Sequence, residues 1–134
     1  MIKGISKISF PTIQDTRGNL SFIENSTHIP YAIKRVYYLY DIPAGSLRGG
    51  HAHIETKEIL VALSGSFQVH LDNGLEKETV FLNNPREGLL IDTMVWRTLD
   101  NFSSGSVCLV LASELYDEDE YIRDMANFQK ILEG

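Results

Sequence analysis

Two histidines, His51 and His53, end the short stretch that begins at Arg48, and Glu58 follows soon after. Successive side chains on a strand point to opposite faces, so both imidazoles share a face, about 6 to 7 Å apart along the strand. Two imidazoles and one carboxylate can bind a metal as a facial triad. Free imidazoles, with an ordinary pKa of about 6.5, are also natural proton-transfer groups. This spacing therefore indicates either a metal site or an acid–base site.

The elements that must position these histidines are short strands. Turn signals separate runs of β-branched, aromatic and alternating apolar residues, which is typical of a sandwich or barrel. The sequence from Asp72 to Gly74 predicts a hairpin turn, because Asn and Gly tolerate positive φ. The predicted strands cover residues 33–40, 59–63, 67–71, 77–82, 88–91 and 106–111, and the histidine pair lies on a further strand.

Near the C-terminus the spacing of apolar residues changes from alternating to helical, which predicts a helix from Glu118 onward. Asp117 is a candidate N-cap, with Glu120 three residues later as in a capping box. We expect this helix to cover one side of the barrel. The apolar residues at helical spacing are Tyr121, Ile122, Met125, Phe128, Ile131 and Leu132.

Size and charge limit the classes of protein. A chain of 134 residues and 15.1 kDa is predicted to form one domain, residues 1–134. The net charge of −6 argues against general nucleic-acid binding, although a pocket can still be locally basic. The lone Cys108 allows no intrachain disulfide, and no apolar stretch is long enough for a bilayer. We expect a cytoplasmic protein that binds neither nucleic acid nor membrane.

The histidine pair and its neighbours resemble the first sequence motif of the cupins. The motif positions are Gly45, His51, His53, Glu58 and Gly65, and the resemblance implies an all-β cupin jelly-roll barrel with a C-terminal helix. Cupin metal sites usually add a third histidine from a second motif. That motif would begin here at Gly88, and it has Leu99 at the histidine position. We therefore expect no metal or cofactor; if a metal is present, its ligands are His51, His53 and Glu58.

Nearly the whole chain is similar to one cupin family, the sugar 3,4-ketoisomerases, which act on dTDP-4-oxo-6-deoxyglucose in the synthesis of deoxyamino sugars and polysaccharides. The resemblance depends on the order and spacing of many short landmarks. These are Asp15–Leu20, Ile29–Tyr38, Arg48–His53, Leu63–Ser66, Gly88–Leu89, Val95–Trp96, Leu109–Ser113, Tyr116–Glu118, Tyr121–Arg123 and Phe128. Glu58 departs from relatives that carry Gln there, which keeps the metal interpretation open.

The resemblance implies a reaction that needs only positioned acid–base groups. A base removes the C3 proton, acidified by the C4 ketone, and a proton returned at C4 leaves the ketone at C3. His51 is the expected base. His53 would orient the sugar or relay a proton, and Tyr37, if it faces the same cavity, would donate a hydrogen bond to the developing oxyanion. The product would be a dTDP-3-oxo-6-deoxyhexose.

Five further residues are expected to bind the substrate. Arg35 belongs to the family's pocket-facing pattern, and Arg48 can take a phosphate through two hydrogen bonds. Trp96 either packs on the sugar or fills the barrel. Arg17 and Arg97 correspond to family positions that vary and bear on the configuration at C4.

Three alternatives to the ketoisomerase stay open at this stage. The chain can be a related dTDP-sugar epimerase, a metal-dependent cupin, or a sugar-binding cupin without catalysis. The family resemblance also implies a homodimer with exchanged N-terminal strands. Ile5, Ile8 and Phe10 would lie on the exchanged strand, which would cover an otherwise exposed sheet edge.

Overall fold

A computed structural model describes every residue, 1–134, and its main feature is a pair of five-stranded antiparallel sheets packed face to face. In chain order the elements are β1 (Ile5–Ser9), β2 (Thr12–Asp15), β3 (Gly18–Ser21), β4 (Arg35–Leu39), β5 (Arg48–His53), β6 (Glu58–Ser64), β7 (Phe67–Asp72), β8 (Lys77–Leu82), β9 (Glu87–Ile91), β10 (Trp96–Asp100), β11 (Val107–Ala112), a 3₁₀ turn (Glu118–Glu120), β12 (Tyr121–Ile122) and the helix α1 (Met125–Glu133). The strand order is β1-β9-β6-β11-β4 in the first sheet and β12-β5-β10-β7-β8 in the second. The predicted all-β barrel with a C-terminal helix is confirmed.

The main core lies between the two sheets, where alternate side chains of each strand meet. On β7, for example, Phe67, Val69 and Leu71 are buried, whereas Gln68 and His70 are only half-buried, as their alternation predicts. A cluster of 15 buried residues fills this space. A smaller cluster on the other face of the first sheet, including Phe10, Ile29, Ile59, Val61 and Leu111, is covered by the chain that precedes β4.

The hairpin predicted at residues 72–74 joins β7 to β8. Gly74 has φ of +93°, and its N–H donates to Asp72 Oδ1 at 2.8 Å. A glycine accepts this left-handed conformation without the steric cost of a Cβ. The turn sets the register in which Asp72 faces Lys77.

The predicted C-terminal helix begins later than expected. Asp117 does cap a turn, but only the three-residue 3₁₀ turn, and Tyr121 and Ile122 then pair with His53 and Ala52 of β5. The α-helix starts at Met125, where Asp124 is the N-cap and accepts from the Asn127 N–H. The prediction of helix from Glu118 was therefore wrong, because strand pairing with β5 overrides the local helical spacing.

The N-terminal strand β1 pairs with β9 of the same chain, with Ile5 opposite Ile91. The following β2–β3 hairpin forms a separate two-stranded sheet. It exposes large apolar side chains, with Ile13 58% and Leu20 55% accessible. No helix in the structure is both long and apolar enough to cross a membrane.

Candidate active site

A cavity of about 450 Å³ opens at one end of the barrel, between the two sheets. Strands β4, β5, β6, β10 and β11 supply most of its wall, and the chain after β11 supplies the rest. The lining residues are Arg35, Tyr37, Leu39, Arg48, Gly49, His51, Glu58, Leu60, Arg97, Leu99, Cys108, Val110, Tyr116, Tyr121 and Arg123.

A bulge in β5 aims His51 into this cavity. Gly49 and Gly50 have φ of +87° and +66°, and the register with β10 shifts between Arg97 and Thr98. A Cβ on Gly49 would lie 3.1 Å from the Arg97 carbonyl oxygen, so only glycine lets the two strands approach this closely. Bulges of this kind re-aim the following side chain, which here is the first histidine of the pair.

His51 has no hydrogen-bond partner in the protein on either ring nitrogen, although both nitrogens are buried. Its ring packs against His53, with centroids 4.8 Å apart, and against Tyr121 at 5.2 Å. Burial lowers the pKa of His51 to about 4, and the positive charge of Arg97 adds to the effect. The imidazole is therefore neutral at pH 7 and keeps a free lone pair beside the cavity.

His53 points inward like His51 but lies behind it, fully buried and outside the cavity lining. Its Nδ1 lies 2.6 Å from Glu120 Oε1, and the same oxygen accepts from the Thr56 hydroxyl at 2.6 Å. Burial acts to raise the pKa of Glu120, but these hydrogen bonds and one from the Glu55 N–H outweigh it and lower the pKa. Since an ionised carboxylate only accepts, His53 donates through Nδ1–H.

Glu58 occupies the centre of the cavity floor with 1% of its surface exposed. Its Oε1 accepts from Arg97 Nη1 at 2.6 Å, and its Oε2 accepts from the Tyr37 hydroxyl at 2.5 Å. His53 Nε2 lies 3.4 Å from Oε1. Burial alone would raise the pKa of Glu58, but His53, Arg97 and Tyr37 together lower it to about 2. Burial and the Glu58 charge raise the pKa of Tyr37, which stays a neutral donor.

The donor set of a cupin metal site is present, but its carboxylate, Glu58, is already engaged. One atom each from His51, His53 and Glu58 lie within 4.8 Å of one another. Both oxygens of Glu58, however, hold protein donors, and one of these donors is the buried guanidinium of Arg97. A cation bound to Glu58 would displace this ion pair or sit beside a like charge. These residues therefore suit an acid–base site better than a metal site.

Two arginines line the cavity and form no ion pair within the protein. Arg35 packs its guanidinium over the rings of Tyr37 and Tyr116, at 5.3 and 5.5 Å from their centroids. Its Nε and Nη2 are buried without a hydrogen-bond partner. Arg48 is exposed at the start of β5. Guanidinium groups held free in this way match the geometry of a phosphate.

The other three residues that were predicted to bind substrate, Arg97, Trp96 and Arg17, lie in three different places in the structure. Arg97 lines the cavity, but it is 1% exposed and engaged with Glu58 and the Val95 carbonyl. Trp96 points to the other side of its strand and packs on Phe128 of α1, because side chains alternate along β10. Arg17 lies on the exposed β2–β3 turn, where it pairs with Asp15 at 2.7 Å. Neither Trp96 nor Arg17 therefore lines this cavity in the single chain, and their expected contacts with substrate stay predictions.

The chain after β11 adds residues that the sequence pattern did not suggest. Tyr116, Tyr121 and Arg123 line the cavity, and Arg123 is held in place by two hydrogen bonds to Glu118. Glu120 reaches His53 from the same segment. The sequence interpretation assigned this acidic run only to a helix N-terminus. The available signal was the pair of landmarks Tyr116–Glu118 and Tyr121–Arg123, which the resemblance had already marked.

A barrel of two antiparallel sheets, with a His-X-His pair directed into its interior, defines the cupin class. Residues 3–133 match the family described as FdtA: WxcM-like, C-terminal, and the chain belongs to this family. A curated relative from Aneurinibacillus thermoaerophilus, TDP-4-oxo-6-deoxy-alpha-D-glucose-3,4-oxoisomerase, is 44% identical over 125 residues, which cover 93% of this chain and 90% of the relative.

Solved structures agree with this assignment. A sugar 3,4-ketoisomerase from Thermoanaerobacterium thermosaccharolyticum in complex with TDP has a TM-score of 0.96 and 38% identity, over 99% of this chain and 97% of that one. A TDP-quinovose 3,4-ketoisomerase from Campylobacter jejuni has a TM-score of 0.91 and 40% identity, over 96% and 99%. A Mycobacterium tuberculosis epimerase is 17% identical over 90% of this chain and 68% of that chain, with a TM-score of 0.75, and shares the fold alone.

Proposed function

We propose that this protein is a nucleotide-sugar 3,4-ketoisomerase that converts dTDP-4-oxo-6-deoxyglucose to a dTDP-3-oxo-6-deoxyhexose. The observation that carries the proposal is the neutral, unpartnered imidazole of His51 beside a cavity that also holds two free arginines. The 44% identical relative is named for this oxoisomerase activity. A 38% identical ketoisomerase carrying an H51N mutation has a structure in complex with TDP-4-keto-6-deoxyglucose.

In this mechanism His51 is the catalytic base. Its lone pair removes the C3 proton of the sugar, and the electron pair of the C–H bond moves toward the C4 oxygen to give an enediolate. The imidazolium of His51 then returns a proton at C4, the proton of the C3 hydroxyl passes to the C4 oxygen, and the carbonyl forms at C3. Because the carbon-bound proton and the oxygen-bound proton that leave are both replaced, the reaction needs no external oxidant or reductant.

The negative charge that develops on the sugar oxygens needs a hydrogen-bond donor to stabilise it. Tyr37 lines the cavity with its hydroxyl on Glu58, so we assign it the step of exchanging that hydrogen bond for one to the oxyanion. Arg97 holds Glu58 in place and contributes positive charge to the same floor. His53 supports the His51 ring from behind, in contact through the ring edge.

The diphosphate is assigned to the two free arginines. Arg35 carries a buried guanidinium with two unpartnered nitrogens, and Arg48 adds an exposed charge at the same wall. A local cluster of guanidinium groups attracts a dianionic diphosphate even on a chain with a net charge of −6. Arg123, which also lines the cavity, is already neutralised by Glu118.

Incubation of the protein with dTDP-4-oxo-6-deoxyglucose in deuterated buffer tests the proposal. We expect NMR spectra to show a 3-oxo product whose C4 carries solvent deuterium, and the same spectra give the configuration at C4. Exchange at C3 without a 3-oxo product contradicts isomerisation, and binding without exchange indicates a sugar-binding protein. Full activity in the presence of a strong chelator is expected; loss of activity that added metal restores would favour the metal-dependent cupin.

We further propose that residues 1–134 act as one cupin domain in a cytoplasmic homodimer of deoxyamino-sugar and polysaccharide synthesis. In an exchanged dimer, β1 would make the β9 pairing of this structure with the partner's strand instead. The exposed apolar side chains Ile13 and Leu20 support an association of two copies. A monomer by light scattering at micromolar concentration would contradict the dimer.

A further inference from the structure

Glu120 has no role in the proposed reaction, yet it is a buried carboxylate held at full hydrogen-bonding capacity. Its Oε1 accepts from His53 Nδ1 and the Thr56 hydroxyl, both at 2.6 Å. Its Oε2 accepts from the backbone N–H groups of Glu55 and Thr56, at 3.1 and 3.3 Å. Two of these donors are fixed backbone groups that cannot reverse their polarity, so this site requires an oxygen that accepts at Oε2.

We propose that Glu120 is a positioning residue that fixes the tautomer and ring orientation of His53. With Nδ1–H held by the carboxylate, the other nitrogen, Nε2, is directed at Glu58 Oε1, 3.4 Å away. The edge of the same ring supports His51, with an interplanar angle of 83°. Glu120 thereby acts on the cavity through His53, from the chain segment that lies 67 residues later. Its effect on turnover rests on the proposed function, whereas its effect on the tautomer does not.

The substitution Glu120→Gln keeps the shape of the side chain but replaces one acceptor oxygen with a donor, so it tests the effect on the His53 tautomer. The glutamine oxygen must face the two backbone N–H groups, which places the amide NH₂ toward His53 Nδ1 and the Thr56 hydroxyl. Nδ1 then becomes an acceptor and the ring proton moves to Nε2. An Nε2–H would donate to Glu58 Oε1, in competition with Arg97, and would disturb the carboxylate that holds Tyr37.

The tautomer is read directly from proton–nitrogen correlation spectra of protein labelled with ¹⁵N-histidine. The chain has four histidines, and the variants His28→Asn, His51→Asn and His70→Asn assign His53 by elimination. We expect the wild-type protein to show His53 protonated at Nδ1 and Glu120→Gln to show it protonated at Nε2 alone. A wild-type His53 protonated only at Nε2, or protonated on both nitrogens as an imidazolium between Glu120 and Glu58, overturns the proposal, with or without any enzymatic activity.

Kinetics supply the second measurement. We expect Glu120→Gln to lower kcat by about 10- to 100-fold, the range typical of outer carboxylate partners of functional histidines. KM should stay within about twofold, because Glu120 does not line the cavity. The matched control is Asp119→Asn, an exposed acid in the same turn, which should change neither tautomer nor kcat. A Glu120→Gln protein that keeps Nδ1–H and full kcat contradicts the proposal.

Thr56→Val keeps the test decisive if Glu120→Gln does not fold. This variant removes the hydroxyl donor from Glu120 Oε1 and leaves the His53 donor alone on that oxygen. We expect the Nδ1–H resonance to persist and to move further downfield. Loss of that resonance, with protonation at Nε2, would show that Glu120 does not set the tautomer.

Discussion

Most polar groups on the floor of the cavity are hydrogen-bonded within the protein, whereas those on its wall are not. The floor network, defined as Tyr37, His53, Glu58, Arg97 and Glu120, pairs nearly every polar group with another protein group. The open group, defined as Arg35, Arg48 and His51, forms no hydrogen bond or ion pair with other side chains in this structure. Buried polar atoms without partners cost stability, so they are retained where a ligand completes them. The difference teaches that the floor network holds its own members in place, whereas the open group is left available for a ligand.

Removal of the His51 imidazole should have the largest effect on turnover, and it tests the role of the open group most directly. We expect His51→Asn to reduce turnover by about 10³-fold or more, because the only free base at the cavity is lost. The affinity for TDP should change little, since the arginines remain, and calorimetric titration measures it. His70→Asn is the matched control, because His70 lies on the outer face of β7, bonded to Thr79 and Asp100. Normal turnover in His51→Asn would refute the assigned base.

Disruption of the buried Arg97–Glu58 ion pair in the floor network should appear mainly in stability. Arg97→Met leaves the buried Glu58 carboxylate without its cation, and we expect the free energy of unfolding to fall by about 3–5 kcal/mol. Urea denaturation followed by circular dichroism measures it. Lys7→Met is the control, because its surface pair with Glu87 should contribute at most about 1 kcal/mol.

A second substitution tests the cause of that loss. Adding Glu58→Gln to Arg97→Met removes the uncompensated charge, so part of the lost stability should return. A double variant less stable than Arg97→Met alone would argue that packing, and not charge, holds the floor network together.

For Arg35, a member of the open group, we expect a loss of ligand affinity instead of a loss of stability. Arg35→Ala removes two unpartnered donors from the cavity wall, and we expect affinity for TDP to fall by about 10- to 100-fold. Its neighbour Lys34 points to the opposite face and pairs with Glu114, so Lys34→Ala should bind normally. Equal loss of affinity in both variants would assign the effect to net charge and not to the cavity.

Of the predicted effects, the smallest is that of a moderate fall in pH on kcat/KM. The lowered pKa of His51, about 4, keeps the base deprotonated as the pH falls, and activity should fail only as the pH approaches that value. Between pH 7 and pH 5 we expect kcat/KM to fall by less than about twofold. An unperturbed histidine, with a pKa of about 6.5, would lose about 25-fold over the same range. The larger loss, with the fold intact by circular dichroism, would show that His51 is more solvated or less isolated than its neighbours imply.

Much of the fold follows from local pattern. Alternation of apolar residues predicted β7 and β8 nearly to the residue, and Asn73-Gly74 located their turn. The same period of two directed His51 and His53 to one side of β5. Where the prediction failed, a distant pairing was responsible: Tyr121 has helical spacing, but it forms a bridge with His53 across the sheet edge.

The sequence by itself determined that the two imidazoles would share one face of a strand, because strand geometry repeats every two residues. Only the tertiary structure decided that His51 stays free while His53 is engaged. That division depends on Glu120, a residue 67 positions away whose contact with His53 no local periodicity encodes. Long-range chain packing, together with the burial it imposes, makes two chemically identical side chains into one free imidazole and one hydrogen-bonded neighbour.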